Sequence, residues 1–331
     1  QTEVNPGTIE AVFSTPFEVG AESFRLSATS GLVRLGDTAQ KAVELLKNAG
    51  VALKQAKSFN RGKSLYFEAA LTKAARERMH MLSQLRLAFS IERLFLVYQP
   101  FIDLASGRIV GAEALLRWNH PKHGMVSPVL FIALAERFGL IGRLGNWVIN
   151  EACRQMAEWA HSGLRMRMAI NLSVHQIRES DLVERIEHAL QSNALDASQL
   201  LCEITESVAM EDIKATQRTF DGLARIGVFL SIDDFGTGYS SLERLQSFPV
   251  FKLKIDMSFV RDMDTHAGNR AIVTAVIGMA KALKLETVAE GVETAAQAAL
   301  LAELHCDEAQ GYLYSKALPP QVLLQRWLQQ P

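Results

Sequence analysis

Charged and amide side chains interrupt seven apolar, strand-like segments of this 331-residue chain. The segments are EALLRW around Glu113, INLS around Asn171, LCEITES around Glu203 and Glu206, SIDDFGTGYSS around Asp233 and Asp234, FKLKID around Lys254, TVAEGVE around Glu290 and Glu293, and AQGYLYS around Gln310. A strand covered on both faces is usually almost pure Val, Ile and Leu, and burying a carboxylate without a cation costs roughly several kcal/mol. One shared metal site would explain all seven interruptions.

The candidate metal ligands form an all-oxygen set. They are Glu113, Asn171, Glu203, Asp233 and Asp234. Hard oxygen ligands of this kind favour magnesium, manganese or calcium over zinc. The histidines show no H-x-x-x-H or H-E-x-x-H spacing, which excludes a histidine zinc site.

The adjacent aspartates Asp233 and Asp234 suit a two-metal site. Ions about 3.5 to 4 Å apart need a bridging carboxylate and a neighbouring ligand, and two consecutive aspartates can supply both. Lys254 would orient or help to deprotonate the attacking water. These groups together indicate phosphodiester chemistry, whereas an isolated Asp-Asp pair would be interpreted as a helix cap or a turn.

The segment FGTGYSS, Phe235 to Ser241, directly follows the aspartates. It is rich in glycine and hydroxyl groups, so we expect a mobile loop whose position controls the metal ligands. Glu206 is a candidate for holding the loop, because hydroxyl and backbone N–H groups are natural partners of a carboxylate. An ordinary strand-to-helix turn is the alternative.

Strand-like and helix-like runs alternate from Tyr98 onward. This alternation predicts an α/β fold, a (β/α)8 TIM-like barrel whose site forms at the C-terminal strand ends. The first unit, YQPFIDLASGRIVGAEALLRW, joins two strands through a few residues, which fits an antiparallel hairpin and not a parallel crossover. A doubly wound open sheet is the alternative, although no G-x-G-x-x-G opens a helix. The helix-like runs are FIALAERFGLIGRLGNWVINEACRQMAEWA, ESDLVERIEHAL, MEDIKATQRTFDGLARIG, NRAIVTAVIGMAKALKL and AAQAALLAEL.

Strand parity assigns the polar groups to faces, because side chains alternate along a strand. By this rule Glu113 shares a face with Arg117, Glu203 lies opposite in parity to Glu206, and Lys254 shares a face with Asp256. The pattern predicts polar groups at the barrel mouth and apolar groups under the helices.

The N-terminal residues are expected to form a small α+β unit. SFRLSATSGLVRL from Ser23 is strand-like, and AQKAVELLKNAGVALKQAK from Ala39 has helical spacing. A second helix from Glu68, EAALTKAARERMHMLSQLRLAFSIERL, contains neither Gly nor Pro and is expected to bridge to the barrel. The chain begins at Gln1 without an initiator Met, so we expect a fragment of a longer protein.

The composition predicts a soluble cytoplasmic chain, although upstream residues could anchor a longer protein in a membrane. The formal net charge is -1, so no overall field favours a nucleic acid polymer or an anionic membrane surface. No apolar run approaches the ~18 residues that suggest a membrane span. The three cysteines, Cys153, Cys202 and Cys306, are odd in number and stand in apolar surroundings, which suits reduced core thiols.

Taken together, the seven segments resemble the EAL domain, a family of cyclic di-GMP phosphodiesterases named after the tripeptide that Glu113, Ala114 and Leu115 spell here. The likeness covers about residues 88 to 329 and includes YQPFIDL, EALLRWNHP, LAERFGLI, NLS, LCEITES, DDFGTGYSSL, LKIDMSFV, VAEGVE and QGYLYSKAL in the family's order. It implies a barrel with an antiparallel first strand and hydrolysis of cyclic di-GMP to linear pGpG with Mg²⁺ or Mn²⁺. Ca²⁺ is expected to inhibit, because it commonly occupies oxygen sites without supporting the chemistry.

The resemblance also implies a role for individual residues. The implied metal ligands are Glu113, Asn171, Glu203, Asp233, Asp234 and Glu290. The implied catalytic residues are Lys254, which positions the water, with Glu113 and Glu290. The implied substrate contacts are Gln99, Arg117, Asp256 and Gln310, the last of these near a guanine. Glu206 is the implied loop anchor, and Glu293 stands in a loop that links the site to a homodimer interface.

Departures from the family pattern leave the implied ligands intact. Phe251 stands where many relatives have an acidic residue, which could alter dimer packing or regulation, and Met257 stands where Arg or Gln is frequent. Residues 10–66 resemble the last third of a GGDEF domain, but its signature is absent, so we expect no cyclase activity. The implied domains are a GGDEF-like remnant over 1–68, a helical linker over 69–87 and an EAL barrel over 88–331.

Three functions are open at this point. The first is hydrolysis of cyclic di-GMP, and the second is a non-hydrolysing cyclic di-GMP receptor, which EAL relatives become when they lose metal ligands. The third is an unrelated barrel that uses magnesium on another phosphoester. Because every implied ligand is present, hydrolysis is favoured.

Overall fold

The computed structural model of the chain divides into two compact units, Gln1–Arg86 and Leu87–Pro331. The residues that the structure describes are 6–13, 15–20, 22–34, 41–59, 61–67, 69–89, 93–211, 213–238 and 242–330. Several predicted segments therefore lie partly outside the described residues. These are the strand from Ser23 at 35, the helix from Ala39 at 39–40, the helix from Glu68 at 68 and 90–92, the helix from Met210 at 212, and the end of the predicted loop at 239–241.

The first unit combines short strands with longer helices. Its elements are α1 (Pro6–Val12), β1 (Phe17–Val19), β2 (Glu22–Phe24), β3 (Ser30–Leu32), α2 (Ala42–Phe59), β4 (Ser64–Tyr66) and α3 (Ala69–Ala88). β1 pairs with β2 in antiparallel fashion, and β3 pairs with β4 in parallel fashion. Gly31 lets β3 approach α2, because a Cβ at this position would lie 2.2 Å from the Ala49 carbonyl oxygen.

The predicted helix from Ala39 is confirmed, since α2 covers most of it. The predicted strand from Ser23 is wrong in its continuity, because β2 ends at Phe24 and β3 begins at Ser30. Just before β3, the Thr29 hydroxyl accepts a hydrogen bond from the Gly62 backbone N–H at 2.9 Å. This bond ties the start of β3 to the segment that leads into β4.

The second unit alternates strands with helices, as its sequence predicts. Its strands are β5 (Leu94–Asp103), β6 (Ile109–His120), β7 (Gly124–Val126), β8 (Arg167–Asn171), β9 (Leu200–Thr205), β10 (Phe229–Phe235), β11 (Lys252–Ile255), β12 (Glu286–Ala289) and β13 (Glu308–Ala309). Its helices are α4 (Pro128–Arg137), α5 (Ile141–His161), α6 (Val174–Ile177), α7 (Leu182–Ser192), α8 (Glu206–Glu211), α9 (Ile213–Arg225), α10 (Leu242–Ser247), α11 (Met257–Val260), α12 (Ala267–Ala282), α13 (Ala295–Glu303) and α14 (Pro320–Leu328).

The strands of this unit close into an eight-stranded barrel. The order around it is β5, β13, β12, β11, β10, β9, β8 and β6, and β6 pairs again with β5, while β7 extends the edge of β6. β5 is antiparallel to both of its neighbours in the barrel, and β6 and β8 to β13 run parallel to one another, while β7 pairs with β6 in antiparallel fashion. The predicted barrel with an antiparallel first strand is confirmed, and the open sheet is excluded because the sheet closes.

The longest predicted helix is wrong in its continuity. The run from Phe131 forms two helices, α4 and α5, because Gly139 adopts a left-handed φ of 67°. The backbone N–H of Leu140 then bonds to the Ala135 carbonyl at 2.8 Å, which is the arrangement of a Schellman cap. The apolar and polar spacing continues across this break, so periodicity alone could not reveal it.

The three cysteines lie in the core, as expected. All three are buried and unpaired, and burial raises the pKa of the Cys153 and Cys306 thiols to about 12. Thiols held in the neutral form are poor nucleophiles. Among the described residues, no helix has both the length and the apolar character needed to cross a bilayer.

A compensated charge network closes the N-terminal end of the barrel. The buried Lys252 ammonium lies 2.6 Å from Glu308 and 3.4 Å from Glu286, which in turn lies 2.7 Å from Arg167. Burial raises the pKa of Glu308, although Lys252 acts in the opposite direction. Phe251, the departure from the family pattern, stacks on Phe229 here with ring centroids 4.1 Å apart.

Replacement of Lys252 by Ala should destabilise the second unit by about 3 to 5 kcal/mol, because Glu308 would remain buried without its cation. Urea denaturation followed by tryptophan fluorescence measures this unit alone, since all four tryptophans lie within it. Lys281→Ala, at an exposed position of α12, is the control and should change stability by less than about 0.5 kcal/mol. Equal effects of the two substitutions would contradict this account.

Candidate metal centre and active site

The C-terminal strand ends bring the predicted polar groups to one rim of the barrel. Parallel strands present their carboxyl ends at the same face, so residues that are distant in sequence become neighbours. Glu113 lies in β6, Asn171 ends β8, Glu203 lies in β9, Asp233 and Asp234 lie in β10, Lys254 lies in β11, Glu290 follows β12 and Gln310 follows β13. The first structural requirement of a shared site is therefore met.

Lys254 stands at the centre of this cluster and is 1% exposed. Its ammonium nitrogen lies 2.7 Å from Glu290 Oε1, 3.0 Å from Glu203 Oε2, 3.2 Å from Asp233 Oδ1 and 3.5 Å from Glu113 Oε2. Burial lowers the pKa of Lys254, but the four carboxylates outweigh burial and raise it well above its ordinary value. Lys254 is therefore a fixed positive charge in this structure.

Two side-chain amides hold the Glu113 carboxylate. Asn171 Nδ2 donates to Glu113 Oε1 at 2.7 Å, and Gln310 Nε2 donates to Glu113 Oε2 at 3.0 Å. Burial acts to raise the pKa of Glu113, but Lys254 and the two amides outweigh it, so this pKa lies below its ordinary value. Gln310 Oε1 is buried and has no hydrogen-bond partner among the described residues, so this amide oxygen remains available to another partner.

The other buried carboxylates are not fully compensated. Burial, followed by neighbouring carboxylates, raises the pKa of Glu203 well above its ordinary value although Lys254 opposes this shift. Burial is also the main cause that raises the pKa of Glu290 to about 8. Glu203 Oε1 is buried and has no hydrogen-bond partner among the described residues. These oxygens fit a hard divalent cation, which would offset the excess negative charge.

Asp233 and Asp234 reach the rim through an irregular end of β10. The register against β11 shifts between Ile232 and Phe235, and Asp234 adopts a left-handed φ of 54°. The Asp234 backbone N–H donates to Asp233 Oδ1 at 2.9 Å. Carboxylate oxygens of Asp233, Asp234 and Glu290 all lie within 4.8 Å of one another, so this aspartate pair does not cap a helix but faces a common space.

Glu206 holds the segment that follows the aspartates. Its buried carboxylate accepts a hydrogen bond from the Gly236 backbone N–H at 2.9 Å. A Cβ on Gly238 would lie 2.9 Å from Glu206 Oε1, so this position has little room for a side chain. This contact is the one that the loop-anchor prediction requires.

The parity argument fails for Glu206 and Asp256, because neither residue lies in a strand. Glu206 begins α8, and Asp256 is the N-cap of α11, where its side chain accepts the Ser258 backbone N–H at 2.9 Å. Asp256 nevertheless lies near Asp234, since its charge contributes to the raised pKa of Asp234. A helix start reorients the chain, and alternation no longer applies beyond that point.

Two cavities at the rim are lined by predicted residues that lie outside the Lys254 cluster. A cavity of about 250 Å³ is lined by Gln99, Glu113, Glu290, Glu293, Gln310 and Tyr312, among others. A second cavity, of about 410 Å³, is lined by Arg117, Asn171, Thr205, Gln176 and apolar residues of α4 and α5. Burial lowers the pKa of Arg117, with Glu113 acting in the opposite direction. The structure therefore separates Gln99 and Arg117 between the two cavities.

Sequence reasoning missed Tyr312 and Gln176 as lining residues. Tyr312 is 64% exposed and lies within the AQGYLYS segment, two residues after Gln310. An aromatic residue beside a polar strand end was an available signal for Tyr312. Gln176 is buried in α6, where it forms a capping box with Ser173. The S-x-x-Q spacing is a signal for a helix start and not for a residue that lines a cavity.

The fold and the rim define this molecule as a (β/α) barrel with an acidic, oxygen-rich centre at the C-terminal ends of its strands. The EAL domain matches residues 82–317. The chain belongs to the EAL domain family.

Several characterised proteins are similar to this chain. It is 40% identical over 312 residues to the bifunctional diguanylate cyclase/cyclic di-GMP phosphodiesterase MucR of Pseudomonas aeruginosa, covering 94% of this chain and 46% of MucR. It is 40% identical over 305 residues to the cyclic di-GMP phosphodiesterase NbdA of the same organism, covering 92% of this chain and 39% of NbdA. The chain thus spans less than half the length of either relative.

A solved structure of the MucR phosphodiesterase in complex with c-di-GMP superposes with a TM-score of 0.71 at 43% sequence identity. The match covers 74% of this chain and 99% of that one.

Asp234→Asn should stabilise the metal-free protein in a pH-dependent manner. Burial, then the charges of Asp233 and Asp256, raise the pKa of Asp234 to about 6. The folded state therefore binds this proton more tightly than the unfolded state, and ionisation costs stability as the pH rises from about 4 to about 6. In a chelator, the variant should melt at a higher temperature than the wild type above about pH 6 and at the same temperature below about pH 4.

Circular dichroism melting curves across this pH range test the prediction. Asp262→Asn, at an exposed position after α11, is the matched control and should leave the pH profile unchanged. An advantage of Asp234→Asn that persists at low pH would show that charge is not its cause.

Proposed function

We propose that this chain hydrolyses one phosphodiester bond of cyclic di-GMP to give linear pGpG, in a reaction that depends on Mg²⁺ or Mn²⁺. The observation that carries the proposal is the buried group of four carboxylates around Lys254, in which Glu203 Oε1 lacks a partner. Such a group suits divalent cations beside a phosphate. The names of MucR and NbdA, and the ligand in the MucR structure, support cyclic di-GMP as the substrate.

The residues that would hold the ions fit an oxygen-ligand site for two metals. They are Glu113, Asn171, Glu203, Asp233, Asp234 and Glu290. When bound, such ions stabilise developing charge on phosphoryl oxygens and lower the pKa of water. Ca²⁺ would occupy the same oxygens without supporting turnover.

The protein's own groups would orient the reactants. Lys254 remains an ammonium because the carboxylates raise its pKa, so it can donate a hydrogen bond to the attacking water but is a poor general base. Glu113 is held by two amides and cannot rotate without losing them. Glu113 and Glu290 would complete the catalytic set as carboxylates that face Lys254.

Substrate would lie across the two cavities of the rim. Gln99 is available in the first cavity, where its amide donates only a 3.2 Å hydrogen bond to the Ser315 carbonyl. Arg117 in the second cavity would contact a phosphate, since a guanidinium can bind two phosphate oxygens at once. Gln310 would approach a guanine through its unpaired Oε1, and Asp256 would lie at the edge of the metal centre.

The rest of the molecule would serve regulation. We propose that Glu206 fixes the loop after the aspartates. Glu293 would lie between the site and a homodimer interface. The protein would act in the cytoplasm. We further propose that residues 1–68 are a GGDEF-like remnant, with a linker over 69–87 before the barrel. The greater length of MucR and its bifunctional name support a longer parent protein.

The function is tested by incubating the purified chain with cyclic di-GMP and Mg²⁺, Mn²⁺ or Ca²⁺, and separating the products by chromatography. We expect pGpG with Mg²⁺ or Mn²⁺. Glu113→Gln should lower kcat by about a hundredfold or more, because it removes a ligand charge while keeping the shape of the side chain. Glu303→Gln at an exposed end of α13 is the control. Tight binding without turnover under all three metals would favour the receptor function instead.

Arg117→Ala should raise KM for cyclic di-GMP by about tenfold, with a smaller change in kcat, because it removes a phosphate contact and not a metal ligand. Steady-state kinetics with saturating Mn²⁺ measure both constants. Arg165→Ala removes the same charge from an exposed position just before β8, at the opposite end of the barrel, and should leave KM unchanged. An unchanged KM in Arg117→Ala would contradict its assignment to substrate binding.

A further inference from the structure

Two cation positions can be distinguished at the rim. The inner position is the space between Glu113, Glu203, Asp233 and Glu290, and the Lys254 ammonium occupies it. The outer position is the space between Asp233, Asp234 and Glu290, whose carboxylate oxygens lie within 4.8 Å of one another. Asp234 makes no ion pair with Lys254 in the described part of the chain, so the outer position is not filled by the same charge.

The inner position retains unused ligand atoms. Lys254 takes one oxygen from each of its four carboxylates. The second oxygen of Glu203 is fully buried and has no partner among the described residues. An oxygen that is buried in this way and aimed into a cluster of ligands indicates that a further cation can be accommodated there.

An ammonium and a divalent ion cannot share the inner position without strong repulsion. Their charges have the same sign, and the interaction of charges a few ångströms apart is much stronger in a buried site than in water. A metal ion at Glu113 and Glu203 would therefore require Lys254 to give up part of its contacts. The weakest of these by distance is the contact to Glu113, at 3.5 Å.

We propose that Lys254 is a resident cation that makes metal loading sequential. The first divalent ion enters the outer position, and a second ion reaches Glu113, Glu203 and Asn171 only when Lys254 withdraws from Glu113. Lys254 thereby keeps the carboxylates together before loading and sets the affinity of the second ion. This inference rests on the proposed metal-dependent function.

Lys252 provides a matched control on the same strand. Both lysines are 1% exposed and pair with buried carboxylates. The difference is that Lys252 lies at the N-terminal end of the barrel in a network completed by Arg167. Loss of Lys252 should therefore destabilise the fold without changing the metal centre.

The experiment is a titration of the metal-free 331-residue chain with Mn²⁺, with free Mn²⁺ followed by electron paramagnetic resonance. In the wild type, the second ion should bind about tenfold or more weakly than the first. In Lys254→Met, the gap between the two affinities should narrow by about tenfold, because only the repulsion between the two ions then remains. Lys254→Arg retains the charge and should preserve the weak second step, and Lys252→Met should also preserve it.

Thermal melting gives a second readout that does not depend on activity. Lys254→Met and Lys252→Met should both melt below the wild type in a chelator. Mn²⁺ should raise the melting temperature of every protein that binds it, so each variant is compared with the wild type in the same saturating Mn²⁺. By this comparison Mn²⁺ should restore Lys254→Met to the wild-type melting temperature, because ions then replace the lost charge, and should leave the deficit of Lys252→Met unchanged. Restoration of both variants, or of neither, would overturn the inference.

Other outcomes also decide the matter. Equal affinity of both ions in the wild type would overturn the inference, and this result does not depend on whether the variant folds. An unchanged affinity of the second ion in Lys254→Met would also overturn it. Complete loss of Mn²⁺ binding in Lys254→Met would overturn it as well. Absence of turnover together with the expected two-step titration would contradict the proposed function alone, whereas turnover together with equal affinities would contradict this inference alone.

Discussion

The burial of one ammonium among four carboxylates is the interaction on which the rim of this barrel depends. Each carboxylate comes from a different strand or strand end, so the ion pairs of Lys254 join β6, β9, β10 and the residue after β12. Carboxylates placed this close without a cation would repel one another and each would lose its hydration. Lys254 makes the arrangement possible, but its single charge cannot balance four. Burial, with a further contribution from the neighbouring carboxylates, accordingly raises the pKa values of Glu203 and Glu290 although Lys254 acts in the opposite direction.

The two ends of β11 show the contrast between a structural and a functional use of buried charge. At the N-terminal end, Lys252 and Arg167 face Glu286 and Glu308, so positive and negative groups are equal in number. At the C-terminal end, Lys254 is outnumbered by the carboxylates around it. A balanced network stabilises a closed barrel end and leaves no demand for a ligand. A network with excess negative charge is stabilised when a cation from solution binds to it. This is the physical reason to place function at the C-terminal rim.

Much of this arrangement could be predicted from the sequence, because a polar residue at the end of an apolar strand has few structural explanations. The strand segments around Glu113, Asn171, Glu203 and Lys254 were recognised in this way, and the closing of the barrel then brings them together. The short ASGR connection was sufficient to predict the antiparallel first strand. Predictions failed where a strand ended earlier than its hydrophobic pattern suggested. Glu206 and Asp256 begin or cap helices, and alternation carries no information there. The amide contacts of Asn171 and Gln310 with Glu113 depend on side-chain rotation, which spacing does not encode.

The backbone after Asp233 is linked to the charge cluster by the same carboxylates. Asp234 and Gly236 both adopt left-handed conformations, with φ of 54° and 100°. Aspartate tolerates this conformation better than most residues other than glycine, and hydrogen bonds to the backbone on either side fix it here. The Asp234 N–H is held by Asp233, a partner of Lys254, and the Gly236 N–H is held by Glu206. A change of charge at the cluster therefore alters the hydrogen bond that fixes Asp234, and through it the segment that Glu206 anchors. Because both bonds hold backbone N–H groups that are only two residues apart, at Asp234 and Gly236, the charge cluster and the segment after it cannot be adjusted independently.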